Sequence, residues 1–215
     1  MPDDAVAFAK TDEEGVATSK RRAAFDLTER IENPFDLYLH LPYRIAVVSN
    51  LLLLDRDSRI KSICPLGPRE MRVLLNIGSY MPIAAADIAY QSRMDSYTIS
   101  RAVRSLREQE LLETEDDPTN RRTKYLVLTT KGLDLYRRLS SELEERGREL
   151  ESVLDESDKE ELFRILRLVE DKIEGLLAGH ALKSLSDGNP LTAGDREIIR
   201  WYKRGTTNEV FRTPK

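Results

Sequence analysis

Tyr97, Arg101, Arg104 and Glu108 recur at intervals of three and four residues, which at roughly 100° per residue lines them along one stripe of a helix. Thr98, Ser100 and Ser105 flank the stripe, and Ser96 stands just before it. Arginine can bond guanine bidentately and hydroxyls can reach phosphates or base edges, so such a helix front suits insertion into the major groove of DNA. An ordinary solvated face can look the same. A second group of cations decides between the two readings. Asn120, Arg121 and Arg122 close a turn-forming cluster that starts at Asp116, and Lys124 follows. Guanidinium groups held at the tip of a turn are drawn to the negative potential of a narrow minor groove and to the phosphates beside it.

Two elements must hold these groups in place. Asp95 is a good N-cap for the helix, and Ile99, Ala102, Val103 and Leu106 form the apolar back on which it packs. Behind the second group, Leu111–Glu115 and Tyr125–Thr129 are short strand-like runs, so the turn between them is the tip of a β-hairpin. Upstream, a helix from about Pro68 to Ser79 is expected to pack through Met71, Leu74 and Leu75, and a short one from about Ala84 to Gln91 through Ile88. Gly67 followed by Pro68 makes an acceptable helix start. These helices form a three-helix core that presents the reading helix.

The order helix, helix, hairpin, long helix across Leu74 to Leu139 resembles the MarR family of bacterial transcription regulators, which are dimeric winged-helix proteins, and the resemblance extends from about Phe35 to Leu177. RAVRSLREQELLE is similar to the end of that family's recognition helix leading into the first strand of the wing. DDPTNRRTKYLVLTTKG is similar to the wing itself and to the Leu-Thr-x-x-Gly start of the next helix. Asn120 stands where the family usually has aspartate directly before the arginine pair, so the charge that would orient Arg122 is missing. The implied fold is mainly α with a small β-wing: a winged helix-turn-helix domain flanked by N- and C-terminal dimerisation helices. The implied DNA-contacting residues are Ser96, Tyr97, Thr98, Ser100, Arg101 and Arg104 on the helix and Asn120, Arg121, Arg122 and Lys124 on the wing.

The segments on either side of the reader divide the chain. Residues 1–30 are polar without sustained periodicity and are read as a flexible N-terminal extension. Residues 31–66 form an N-terminal dimerisation region, in which Asn33 and Pro34 open a helix carrying Phe35, Leu37, Tyr38, Leu41, Ile45, Val48, Leu51 and Leu52. Pro42 is expected to kink or split that helix. The DNA-binding domain occupies 67–132. Residues 133–180 carry the C-terminal dimerisation helices, broken near Asp155, with Ser157 available to cap the second of them, which continues through Leu162, Leu166, Val169, Ile173 and Leu176. The resemblance implies that these faces pack against a second subunit; packing within one chain is the alternative. Residues 181–215 form a C-terminal extension in which Leu191 to Arg204 can make one more helix, with Thr192 as cap and Ile198, Ile199, Trp201 and Tyr202 packing, ahead of an open segment from Gly205. Arg196, Arg200, Lys203 and Arg204 make it either a basic arm to DNA or a solvated face.

The chain has 215 residues, 40% hydrophobic and 33% charged, with 10 glycines and 9 prolines, which fits a helix-rich protein able to bury one substantial core. Its net charge of −4 does not exclude nucleic acid, because acidic residues crowd Glu142 to Glu161 while Arg93, Arg101, Arg104, Arg107, Arg121, Arg122 and Lys124 gather in the proposed reading head. No bilayer-spanning run or leader pattern is evident, and the expected location is cytoplasmic. No phosphate-cradling glycine loop, paired-histidine zinc helix or nucleophile elbow is present, so neither catalytic residues, a cofactor nor a metal is expected. The lone Cys64 is either a buried bystander or an oxidant sensor.

The expected partners are a pseudo-palindromic double-stranded DNA operator and a second copy of the chain. The resemblance adds a small aromatic or phenolic carboxylate effector, held between the dimerisation helices and the reader by Tyr38, His40, Tyr43 and Arg44 around Pro42. Those four can equally be interface residues. The chain thus reads as a homodimeric repressor released by an effector, or as an architectural protein using the same module without ligand control.

Overall fold

The computed structural model describes residues 25–116 and 124–209. The chain divides into two units, Met1–Arg59 and Ile60–Lys215.

In the first unit the carboxylate of Asp36 accepts the Tyr38 N–H at 2.8 Å and starts a single 3-10 turn, Leu37–Leu39. Helix α1, Leu41–Ile60, follows. These two pieces replace the helix predicted to open at Asn33. The division falls at His40, and Pro42, in the first turn of α1, removes no hydrogen bond the helix needs and does not interrupt it. The predicted helix is thus split, as expected, but two residues before Pro42 and not at it. Leu41, Ile45, Val48, Leu51, Leu52, Leu53 and Leu54 are all exposed on α1.

The second unit runs α2 (Pro68–Tyr80), β1 (Ile83–Ala84), α3 (Ala85–Ser92), α4 (Ser96–Glu108), β2 (Leu112–Asp116), β3 (Lys124–Leu128), α5 (Thr130–Glu151), α6 (Glu156–Ser186) and α7 (Ala193–Glu209). Gly67 and Pro68 do start α2, with Glu70 accepting the Gly67 N–H at 2.8 Å. The helix buries Met71, Val73, Leu74 and Ile77, while Leu75 packs only at the margin. From α3 come Ile88 and Ala89, and from α4 the four residues read from its spacing, Ile99, Ala102, Val103 and Leu106. These side chains and Leu112, Leu126, Leu135 and Leu139 form one apolar cluster.

The hairpin is antiparallel, in register from Leu112 opposite Leu128 to Asp116 opposite Lys124. β1 adds a third strand on the other side of β3, giving the order β1-β3-β2, with Ile83 opposite Leu126. Two residues are too few to show the alternation that marks a strand in sequence. At the base of the hairpin the Thr129 hydroxyl accepts the Gly132 N–H at 3.1 Å and donates to the Glu110 carbonyl at 2.7 Å. Gly132 lies so near the Leu111 carbonyl that a β-carbon would collide with it. That close approach is the physical reason for glycine at this place.

Asp155, and not Ser157, caps α6, accepting the Asp158 N–H at 2.8 Å; Ser157 lies inside the helix. The helix continues past residue 180 to Ser186. Leu162, Phe163, Ile165, Leu166, Leu168, Ile173, Leu176 and Leu177 are exposed along it. α7 starts beside Thr192, whose hydroxyl accepts the Asp195 N–H at 3.1 Å. It reaches Glu209 and so includes Gly205, expected in the open tail. Trp201 is buried in the main cluster, with Ile198 packed against it and Tyr202 outside. Among the described residues no helix is long and apolar enough to cross a membrane.

Candidate DNA interface

α4 is seated by its back. Ile99 and Leu106 are almost wholly buried against α2 and α3, which leaves the opposite stripe outermost. Tyr97 is 71% exposed, and Arg101, Arg104, Arg107 and Glu108 are exposed with it. The Arg101 guanidinium lies 5.7 Å from the centre of the Tyr97 ring, a stacking contact that limits its rotamers without using its hydrogen-bond donors.

The hydroxyls of the helix are differently placed. Thr98 donates to Asp95 Oδ2 at 2.7 Å, Ser100 to the Ser96 carbonyl at 2.8 Å, and Ser105 to Glu70 Oε1 at 2.9 Å. Ser96 donates to Glu197 of α7. Each of these hydroxyls has its single proton engaged within the protein and is left with acceptor capacity only. A phosphate has no proton to offer them, so the side-chain donors left facing outward on α4 are those of Tyr97, Arg101, Arg104 and Arg107.

Asp95 is the N-cap predicted from the sequence, with Oδ1 2.8 Å from the Thr98 nitrogen. Hydrogen bonds from the Thr98 hydroxyl, then from its backbone N–H, hold the Asp95 carboxyl below its ordinary range. The cap is thus charged at neutral pH and complements the positive end of the helix.

On the wing, Asn120, Arg121 and Arg122 lie outside the described residues. Lys124 is exposed and pairs across the hairpin with Asp116. Arg93, grouped by sequence with the reading-head cations, faces elsewhere. It ends α3 in the left-handed conformation (φ 51°), donates to the Tyr90 carbonyl, and pairs with Glu174 of α6 at 2.6 Å. Sequence reasoning also missed Glu70 and Glu197. Glu70 carried a signal, its place three residues after the helix start. Glu197 carried none.

In the first unit the Arg44 guanidinium lies 5.2 Å above the Tyr38 ring, and the His40 ring meets Phe35 edge-on with centroids 4.9 Å apart. Tyr43 is exposed. Cys64 is buried, and desolvation pushes its thiol pKa up against the opposing effects of the Leu66 backbone and Arg138. Among the described residues, no cluster of histidine, cysteine and carboxylate side chains could hold a metal ion.

Residues 66–132 match the family model of the winged helix DNA-binding domain. No curated protein matches the chain in sequence. Among solved structures, a MarR/EmrR family transcriptional regulator from Acinetobacter sp. ADP1 is 24% identical, with a TM-score of 0.61 over 66% of this chain and 99% of that one. The PcaV transcriptional regulator from Streptomyces coelicolor, solved with its natural ligand, is 21% identical, with a TM-score of 0.58 over 65% of this chain and 98% of its own. S. aureus MepR, solved in complex with DNA, is 20% identical, with a TM-score of 0.56 over 62% and 98%. About two thirds of this protein, including residues 66–132 that match the winged helix DNA-binding domain, has the fold of the MarR-family transcriptional regulators.

Proposed function

We propose that the protein is a sequence-specific regulator of transcription that binds double-stranded DNA as a homodimer, acts as a repressor and is released by a small effector. It performs no catalysis and works in the cytoplasm. The observation that carries the reading is the outward stripe of Tyr97, Arg101 and Arg104 on a helix whose back is buried. In this reading α4 lies in the major groove, the two arginines read base edges, and Asn120, Arg121, Arg122 and Lys124 of the wing reach the minor groove or its phosphates.

The exposed leucines and isoleucines of α1 and those of α6 are apolar faces of a kind that water does not favour. A second copy of the chain would cover them, and its recognition helix would address a second half-site about one helical turn away. One neighbour in fold is solved with a natural ligand. For this chain the effector reading rests on Arg44 stacked over Tyr38, with His40 and Tyr43 close in sequence. An arginine beside tyrosines suits an aromatic or phenolic carboxylate. To shift the equilibrium, that effector must bind the DNA-free conformation more tightly.

The test is mobility shift with duplexes selected by the protein from a random pool, paired with sedimentation at micromolar concentration. Salt-sensitive, sequence-selective binding by a species of twice the chain mass is expected, and a folded monomer that selects no sequence refutes the proposal. Selective binding that no aromatic acid releases would favour an architectural role.

A further inference from the structure

Glu197 is the one buried charged residue among the described residues. It belongs to α7, yet its partner is the first residue of α4. Its Oε1 accepts the Ser96 backbone N–H at 2.9 Å and also the Ser96 hydroxyl. The opening residues of a helix have N–H groups with no partner inside the helix. Asp95 takes up the one on Thr98, and Glu197 takes up the one on Ser96 from a distant part of the chain. The start of α4 is therefore capped twice, once locally and once by tertiary structure.

Further ties surround this one. Later in α7, Arg204 donates to Asp87 Oδ1 in the first turn of α3 at 2.6 Å, and its guanidinium lies 4.6 Å from the centre of the Tyr90 ring. The Arg93 guanidinium sits 4.5 Å from the same ring while pairing with Glu174 of α6. A β-carbon at Gly205 would come within 3.4 Å of the Tyr90 hydroxyl, so α7 approaches α3 closely there. Trp201, between Glu197 and Arg204, is buried in the main cluster. α7 also packs extensively along α6. One helix thus touches α3 and α4 of the reader and the long helix α6.

We propose that α7 is a clamp on the reading head and that Glu197 is its positioning residue, fixing the start of α4 so that the angle at which this helix meets DNA is set by the C-terminal helix. The inference rests on the reading of α4 as the recognition helix. Arg101 and Arg104, the residues read as meeting base edges, are carried on the turns that follow the first turn of this helix, so a change in the angle of that first turn blurs sequence discrimination more than it weakens phosphate contacts. A buried, charge-assisted pair of hydrogen bonds holds that turn more firmly than neutral ones would. Placing a carboxylate there has a cost, because DNA repels it. The clamp requires that holding α4 outweighs this repulsion.

Substitution separates the two effects, because glutamine keeps an oxygen for Ser96 while losing the charge, whereas alanine loses both. The probes are a duplex of about 30 base pairs selected by the full chain from a random pool, long enough for two half-sites, and a shuffled duplex of equal composition. Glu197→Ala is expected to bind the selected duplex about tenfold more weakly while its affinity for the shuffled one is unchanged or rises by up to about threefold as the repelled charge is lost, and Glu197→Gln to stay within about threefold of the parent on both. Hydrogen exchange of the DNA-free, full-length protein gives an independent readout. Amides of Ser96 and Tyr97 should exchange about tenfold faster in Glu197→Ala and at the parental rate in Glu197→Gln, with the amides of Leu74 and Ile77 unchanged in both. Parental exchange and parental specificity in Glu197→Ala would overturn the clamp. Tighter binding of the selected duplex by both variants would also overturn it, because the carboxylate would then act by repulsion. If the parent itself selects no sequence, the DNA-binding reading fails and the clamp on a reader fails with it, even if the exchange data still show Glu197 holding the start of α4.

Discussion

Glu70 and Ser105 join the start of α2 to the side of α4 through a single carboxylate. Oε1 accepts the Ser105 hydroxyl at 2.9 Å while Oε2 accepts the Gly67 N–H at 2.8 Å. One side chain therefore caps the first helix of the reader and orients the last. Glu70→Ala should lower stability by about 1–2 kcal/mol, as loss of a cap and of a hydrogen bond to a charged group usually does. Glu70→Gln, which retains one good acceptor, should lose less than half as much. Urea denaturation checks both, and midpoints equal to the parent's in both variants would show that the shared carboxylate contributes nothing.

Gly132 and Gly179 should respond in opposite directions to alanine. At Gly132 the added carbon meets the Leu111 carbonyl, which is backbone and cannot rotate away, so a loss of about 1–3 kcal/mol is expected. At Gly179, inside α6, no atom of the described residues lies within 4 Å of where the carbon would be added. Alanine there should raise stability by about 0.5–1 kcal/mol through helix propensity. Thermal melts of the two variants give the comparison, and a Gly132→Ala variant as stable as the parent would contradict the packing described at the base of the hairpin.

Arg101 and Arg104 face outward on α4, and the reading of this stripe as a base-contacting surface has a quantitative consequence. Arg104→Ala should cost about 1–3 kcal/mol on a selected duplex and relax preference at one position in each half-site. Arg122→Ala on the wing should instead weaken binding to all sequences alike and reduce the salt slope by about one unit. Titrations at several salt concentrations distinguish the two patterns. Unchanged affinity in the double variant Arg101→Ala, Arg104→Ala would remove α4 from the interface.

The cap of α4 titrates. Because the Thr98 hydroxyl and N–H lower the folded-state pKa of Asp95, its stabilising contribution is present above the unfolded value near pH 3.9 and is lost as the pH falls through the lower folded value. Asp95→Asn keeps the hydrogen bond without the charge and should be nearly as stable as the parent at neutral pH, whereas Asp95→Ala should lose about 1 kcal/mol. Any difference between parent and Asp95→Asn should narrow on acidification below about pH 4. A gap that widens in acid would reverse the assigned sign.

Cys64 should be inert in the folded protein. Burial raises its pKa, so little thiolate exists at neutral pH and little surface is open to attack. A disulfide reagent should modify it at least about a hundredfold more slowly in buffer than in denaturant. The sign for stability follows: a raised folded-state pKa means that the contribution is complete below the unfolded value and declines as the pH rises toward the folded one. Rapid modification of the native protein would make oxidant sensing the better account.

The reading helix was fully legible because everything that defines it is local. Asp95 caps within three residues, and Ile99, Ala102, Val103 and Leu106 repeat at helical spacing, so the cap assigned its start and the periodicity its buried back. The hairpin was legible for the same reason, and the start of α5 at Thr130 was given by the family pattern that ends in Gly132. What the sequence did not contain was the set of partners that arrive from far along the chain. Ser96 reads in sequence as a DNA-contacting hydroxyl with no sign of Glu197, 101 residues away, Arg93 counted as a reading-head cation until Glu174 drew it to α6, and β1 became a strand only because β3 was there to pair with it. Capping and amphipathic spacing act within a turn or two of helix and leave a mark in the order of residues. A tertiary hydrogen bond or ion pair depends on where folding brings two distant segments, so only the three-dimensional arrangement decided which polar groups face outward to a partner and which hold the reader in place.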